Sequence, residues 1–176
     1  MIPYETKDIR TIVLLGHGAS GKTSLVESML YKAGATTRLG SVEDGTSVAD
    51  YDADAKEKKH TIDSSILHCN WKGREINIID TPGYIDFVRD TITSLVAAET
   101  ALITISATDG IQVNTRKLWD LACQKGLGKI IVITKIDGEN IDYQELLDSI
   151  KNTLGSTCIP LVLPIGTGHD FQGVVN

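Results

Sequence analysis

Apolar positions along the chain fall into short runs separated by longer amphipathic stretches. Residues 11–15 (TIVLL) form a continuously apolar, β-branched run, the pattern of a strand covered on both faces. Residues 22–32 place Leu25, Val26, Met29 and Leu30 on one face at helical spacing. From 34 to 59 the chain turns polar with few apolar anchors, which predicts a long loop, either functional or disordered. A weak strand is expected over 61–71 and a stronger one over 75–79, ending at Asp80. A helix follows over 87–98, a strand over 101–105, and a helix over 114–124 with Leu118, Trp119 and Ala122 on one face. Residues 129–133 read as a strand, and 143–154 as a helix with Leu146, Leu147, Ile150 and Leu154 in register. A last apolar run, 158–163, is interrupted by Pro160 and followed by Pro164.

This alternation predicts an α/β fold with a mainly parallel sheet and helices on both faces. The tight Lys72-Gly73 turn between the second and third strands predicts an antiparallel hairpin at one edge. Ligands of such sheets bind at the carboxyl ends of the strands, so the residues just after each strand carry the functional question.

Length and charge narrow the picture. A chain of 176 residues fits one domain with a proper core. With 41% hydrophobic and 23% charged residues it is neither disordered nor fibrous. A net charge of -6 argues against broad binding to DNA or RNA backbones, although one site can still hold a small polyanion. Cys69, Cys123 and Cys158 form no CxxC pair, which opposes a zinc site or disulfide framework and suits a reducing cytoplasm. The start, MIPYETKDIR, is too polar for a signal peptide, and no apolar run approaches the ~18 residues of a membrane span. No DNA and no membrane partner is expected, and the chain is expected to be a monomer.

After the first strand comes Gly16-His17-Gly18-Ala19-Ser20-Gly21-Lys22-Thr23, a GxxxxGK[ST] loop between a strand and a helix. Its glycines let successive N–H groups face phosphate oxygens, and the helix start adds its positive dipole end. Lys22 would reach the β- and γ-phosphates and Thr23 would hold Mg²⁺. With Ser24, these residues are the phosphate-side candidates. After the third strand, Asp80-Thr81-Pro82-Gly83 offers a carboxylate for a Mg²⁺-bound water and an unobstructed N–H at Gly83 for the γ-phosphate. After the fifth strand, Thr134-Lys135-Ile136-Asp137 offers a carboxylate that can accept from both the ring N–H and the exocyclic amine of guanine. Adenine lacks that donor pair and would leave the carboxylate unpaired. Lys135 can lie along the base.

These three motifs in this order are the signature of the GTPase superfamily. GHGASGKTSL, RLGSVEDGTSVADYDADAKEKKHTI, DTPGYIDFVRD, DGIQVNTRKLW, TKIDGENIDY and LPIGTGHDFQGVVN together resemble the N-terminal G domain of elongation factor G and its close homologues, from Ile9 to the last residue. The first switch (Gly40, Val42, Asp44, Gly45, Asp50, Glu57) and the closing LPIG…F.GVV are the most specific stretches.

The resemblance implies a Mg²⁺-dependent module that binds GTP and GDP, hydrolyses GTP, and meets the ribosome, including large-subunit RNA, through the full-length factor. It implies Thr61 as the first-switch threonine on Mg²⁺, with Thr23 and Asp80 completing the metal set. Lys22, Thr61, Gly83 and Tyr84 are then the catalytic set. Lys58 stands where the family usually has arginine, and Lys59 and His60 replace glycine and isoleucine. Tyr84 occupies the place of the histidine that commonly orients the attacking water, and Thr134 that of the asparagine in the guanine motif. The family's last guanine-contacting loop and final helix have no counterpart after Pro164. The implied organisation is therefore a G-domain core over 1–157, with 158–176 as a last strand or the first strand of an inserted subdomain and the chain cut short of the whole domain. Alternatively the domain is complete and minimal, with Gly166-Thr167-Gly168 at the base.

Tyr84 allows a GTP-dependent binding switch with little hydrolysis. A ribosomal protection or release-factor GTPase would share most of the motifs. An ATP-using enzyme is opposed by Asp137. Asp50, Asp52 and Asp54 lack the glycine and glutamate of a calcium loop and are read as a solvated acidic face. His17 is read as a solvent-facing filler, Cys123 as a small core residue, and Trp71 and Trp119 as packing residues.

Overall fold

The structure is a computed structural model that describes residues 4–52, 55, 57, 60–84 and 88–176. Phe87, Lys58, Lys59 and Asp54, which figure in the expectations above, lie outside the described residues.

A 3-10 turn, Thr6–Asp8, leads into β1 (Ile9–Gly16), followed by α1 (Lys22–Lys32), the hairpin β2 (Ser65–Trp71) and β3 (Arg74–Asp80), and α2 (Val88–Val96). Then come β4 (Thr100–Ser106), α3 (Val113–Gln124), β5 (Gly128–Thr134) and α4 (Tyr143–Leu154). The five-stranded sheet has the order β2-β3-β1-β4-β5. β1, β3, β4 and β5 run parallel and β2 is antiparallel to β3 at the edge. The predicted α/β architecture and edge hairpin are therefore present.

Strand periodicity sorts the core onto two faces. Leu14 faces one side, with Val26 and Leu30 of α1 and Ile78 of β3. Val13 and Leu15 face the other, with Leu95 of α2, Leu118 and Ala122 of α3, and Leu146, Ile150 and Leu154 of α4. The expected stripes point inward, with Leu25, Met29, Trp119 and Leu147 half-buried at their edges. α4 starts at Asp142, whose carboxylate accepts from the Glu145 N–H at 3.0 Å and satisfies one unpaired first-turn donor.

Three expectations shift. β2 begins at Ser65 rather than 61, because Thr61 turns inward to the site described below. Residues 158–162 form no strand, and β6 (Leu163–Ile165) pairs antiparallel with β7 (Gly173–Val175) instead of joining the main sheet. Cys123 is exposed, since its neighbour Ala122 takes the inward position on α3. Trp119 is partly buried, with Lys129 Nζ 5.6 Å from its ring centroid.

Register brings the strand ends together. Leu14 pairs with Asp80, Gly16 with Thr104, and Ser106 with Thr134. The segments that follow β1, β3 and β5 thus emerge side by side at one end of the sheet.

Candidate functional site

The loop after β1 curls through 17–21 and hands over to α1 at Gly21, which takes a left-handed conformation. Lys22 is buried, and its ammonium donates to the Gly16 carbonyl at 3.2 Å and the His17 carbonyl at 3.0 Å. Burial lowers its pKa to about 8, with Asp80 and then Asp50 pulling back towards the charged form. Ser20 is buried and its hydroxyl lies 2.6 Å from the Thr104 hydroxyl, which fixes the loop to β4. Ala19 and Ser24 are exposed, and His17 is half-buried rather than fully solvent-facing.

A cluster of hard oxygens sits beside Lys22. The Thr23 hydroxyl donates to Asp80 Oδ2 at 2.8 Å and lies 3.1 Å from the Thr61 hydroxyl. Asp80 is fully buried, and burial pushes its carboxyl up to about 6, opposed by the Thr23 hydrogen bond and by Lys22. Its Oδ1 has no hydrogen-bond partner among the described residues. Asp50 is 4% exposed, its carboxyl raised by burial and drawn back down by the Thr61 hydroxyl beside it, although neither oxygen makes a hydrogen bond of good geometry among the described residues. This corrects the reading of Asp50 as part of a solvated face, although Asp52 is exposed. The buried Asp80 Oδ1 without a donor, beside two hydroxyls and a second buried carboxylate, suits a hard divalent cation, so the residues fit Mg²⁺.

The segment after β3 closes the next wall. A Cβ at Gly83 would collide with Lys22 Nζ and stand 2.7 Å from the Gly18 nitrogen, so only glycine allows this approach. The Gly83 carbonyl accepts from the Asn114 side chain at 2.8 Å, and Asn114 is buried at the start of α3. Thr81 is buried and its hydroxyl donates to the Leu14 carbonyl at 2.5 Å. Tyr84 lies over Gly18, where an added Cβ would stand 2.8 Å from the ring. Its ring meets His60 edge-on, centroids 4.9 Å apart and planes at 65°.

The loop after β5 forms the far end. The Thr134 hydroxyl donates to the Ser20 carbonyl at 2.8 Å and reaches the Ile105 carbonyl at 3.3 Å. Lys135 adopts a left-handed backbone, φ 54°. The Gly138 N–H returns to the Lys135 carbonyl at 3.1 Å, and the Gly168 N–H donates to the Ile136 carbonyl at 3.0 Å. The 166–168 turn is therefore docked on this loop.

One cleft of about 260 Å³ gathers Gly18, Lys22, Thr23, Thr61, Gly83 and Tyr84, with Lys135, Asp50 and His60 also on its walls. Asp80 stands behind Thr23. Asp137 is exposed on the same turn as Lys135, outside the cleft lining. A larger cavity of about 550 Å³, between α1 and the β2–β3 hairpin, is walled by Met29, Leu39, Cys69, Trp71 and Ile76 and shares none of these polar groups. Sequence reasoning missed Asp50 and Asn114 as site residues. The sequence marks Asp50 only as part of the first-switch resemblance and does not single out Asn114, since an aspartate in a polar loop and an asparagine at a helix start are both common at surfaces.

Comparison with known proteins agrees with this geometry. Residues 7–170 match the elongation factor Tu GTP binding domain. The chain is 36% identical to an elongation factor G-like protein of Mycobacterium tuberculosis over 160 residues, covering 91% of this chain and 22% of that protein. It is 37% identical over 168 residues to elongation factor G of Granulibacter bethesdensis, covering 96% and 24%. A crystal structure from Thermus thermophilus superposes with a TM-score of 0.90 at 40% identity, covering 95% of this chain and 25% of that one. The chain thus spans about a quarter of the length of these relatives.

Proposed function

The chain belongs to the elongation factor Tu GTP-binding domain family, and on that premise we propose that it is a Mg²⁺-dependent module that binds and hydrolyses GTP within a translation elongation factor. The observation that carries this reading is the convergence of three strand-end motifs on one cleft, with Thr134 hydrogen-bonded to the phosphate-side loop. We further propose that the full-length factor acts on the ribosome, touching large-subunit RNA, in the cytoplasm. Among the described residues no helix is long and apolar enough to cross a membrane.

In the proposed reaction the N–H groups of 17–23 and the Lys22 ammonium hold the β- and γ-phosphates. Thr23, Thr61 and Asp80 would hold Mg²⁺, which when bound neutralises charge on the phosphate oxygens. The Gly83 N–H is available to a γ-phosphate oxygen, and the Asn114 bond to the Gly83 carbonyl fixes the next peptide, the one that leads into Tyr84. The Tyr84 hydroxyl orients the attacking water by hydrogen bonding. A phenol is a weak proton acceptor at neutral pH, so catalysis rests on positioning and electrostatics. At the far end, Asp137 accepts from the two guanine donors and Lys135 covers the base.

A second reading keeps the binding and removes most of the turnover. It is favoured by Tyr84 itself, whose ring is held between Gly18 and His60. Calorimetric titration with GDP and ADP in Mg²⁺, followed by GTP turnover, tests both readings. GDP bound and ADP excluded, with measurable turnover, is the expected result. ADP bound as well as GDP would overturn the guanine reading.

A further inference from the structure

Glu27 is a buried ionisable group that the proposed reaction does not use. It lies on α1, one turn after Thr23, and its relative exposure is 0%. Glu27 Oε1 accepts from the Ser47 hydroxyl at 2.7 Å, the Val48 N–H at 2.6 Å and the Ala49 N–H at 3.2 Å. Its Oε2 faces Gly40, where a Cβ would collide with it, so the chain passes Glu27 at both 40 and 47–49. The knot continues outward. The Ser47 hydroxyl oxygen accepts from the Ala49 and Asp50 N–H groups at 3.1 and 3.2 Å, and the Ser65 hydroxyl donates to the Ala49 carbonyl at 2.6 Å. Asp50, the next residue, puts its buried carboxylate into the cleft wall beside Thr61.

We propose that Glu27 is a positioning residue: by gathering the 47–49 backbone onto α1 it sets Asp50 beside the cleft, and so controls how tightly Mg²⁺ and nucleotide are held together. This rests on the nucleotide-binding reading above. A carboxylate buried in a helix is costly unless its acceptors are filled, and here a loop twenty residues away fills Oε1 three times over, while Oε2 has no hydrogen-bond partner among the described residues. The same helix presents Thr23 at its first turn, so one rigid element carries both the loop anchor and the phosphate-side hydroxyl. The 47–49 segment is thereby tied to α1 through one carboxylate oxygen, with Gly40 passing close to the other, while Thr61 meets the cleft through Thr23 and stands beside Asp50.

The test measures release of a fluorescent GDP analogue from the whole chain, with Mg²⁺ and with EDTA, alongside amide hydrogen exchange at 48–50. Glu27→Ala removes the acceptor and Glu27→Gln keeps a carbonyl oxygen for the same three donors. Glu27→Ala is expected to speed release about tenfold in Mg²⁺, with little change in EDTA, and to raise exchange at 48–50. Glu27→Gln is expected to restore most of both. A purely structural role would speed release equally with and without Mg²⁺, and that result overturns the proposal. So does lost protection at 48–50 with release unchanged. Ser47→Ala, a milder change, is expected to speed release about threefold in Mg²⁺ and decides the matter should Glu27→Ala not fold. If the parent chain binds no GDP, the nucleotide reading falls first, a failure seen without any variant.

Discussion

The Thr134 hydroxyl donates to the Ser20 carbonyl across 114 residues of sequence, at 2.8 Å. The loop that would read the base is thereby fastened to the loop that would hold the phosphates, and both are fastened to β4 through the Ser20–Thr104 contact. A short side chain suffices because β4 and β5 pair Ser106 with Thr134, which brings the hydroxyl under the loop. Thr134→Val keeps the shape and removes the donor. GDP affinity is expected to fall five- to tenfold, about 1–1.4 kcal/mol, the net worth of one hydrogen bond. Thr134→Asn is expected to hold affinity at or above the parent value. Calorimetry on the three proteins checks this, and an unchanged Thr134→Val would show that the tie does not support binding.

Affinity for nucleotide should depend on pH through Lys22. Its pKa is lowered to about 8 by burial, and a phosphate beside it favours the charged form and raises that value. Binding therefore takes up a proton wherever Lys22 starts neutral. Below about 8 the lysine is already charged and this dependence is absent. Above about 8 the affinity should weaken, by at most tenfold per pH unit, until the pKa of the bound form is reached. Titrations in buffers of different ionisation enthalpy between about pH 7 and 9.5 would show proton uptake appearing near 8. Proton release in that range would contradict the assignment of Lys22 to the phosphates.

Gly83 has no room for a side chain. A Cβ there would strike Lys22 Nζ and press on the Gly18 backbone. A lysine tip can swing aside, but the Gly18 nitrogen belongs to the loop itself, so Gly83→Ala must push the whole segment after β3 away from the cleft. Turnover of GTP is expected to fall by roughly tenfold or more, with GDP affinity reduced less, because the γ-phosphate side loses its N–H while 17–22 stays in place. Comparing GDP with a non-hydrolysable GTP analogue separates the two effects. Equal weakening of both would place the damage in the phosphate loop instead.

The framework and the site differ in how far they were legible. Alternating strands and helices, the edge hairpin and the three strand-end motifs follow from local rules: hydrophobic period, turn residues and the loop chemistry of phosphate binding. The buried carboxylates do not. Glu27 sits on the polar side of α1's pattern and reads as a solvated helix residue until a loop twenty positions on supplies its donors. Asp50 lies in a polar stretch with no period, so only the first-switch resemblance, and no hydrophobic pattern, separates it from exposed Asp52. Asn114 is recognisable only once the Gly83 carbonyl is opposite it. The 158–163 run departs for a related reason: Pro160 and exposed Ile159 and Leu161 suit neither face of the main sheet, and pairing waits for β6 and β7.

Tyr84 gives the sharpest test of catalysis. Its ring rests on Gly18 and against His60, so the hydroxyl is held by packing on two sides although the residue is 41% exposed. Tyr84→Phe preserves the ring contacts and removes only the hydroxyl. If that hydroxyl places the attacking water, turnover should drop about three- to tenfold, the worth of one hydrogen bond, with GDP affinity unchanged. Tyr84→His exchanges the phenol for a group that can also take a proton near neutral pH, which positioned general bases make worth about a hundredfold. An increase is therefore expected, larger with ribosomes present in the full-length factor. Single-turnover GTP hydrolysis with all three proteins checks both steps. If Tyr84→Phe loses nothing, the ring acts only as packing between Gly18 and His60. If Tyr84→His gains nothing even on the ribosome, the rate is limited by something other than the missing imidazole, and the switch with little turnover becomes the better account.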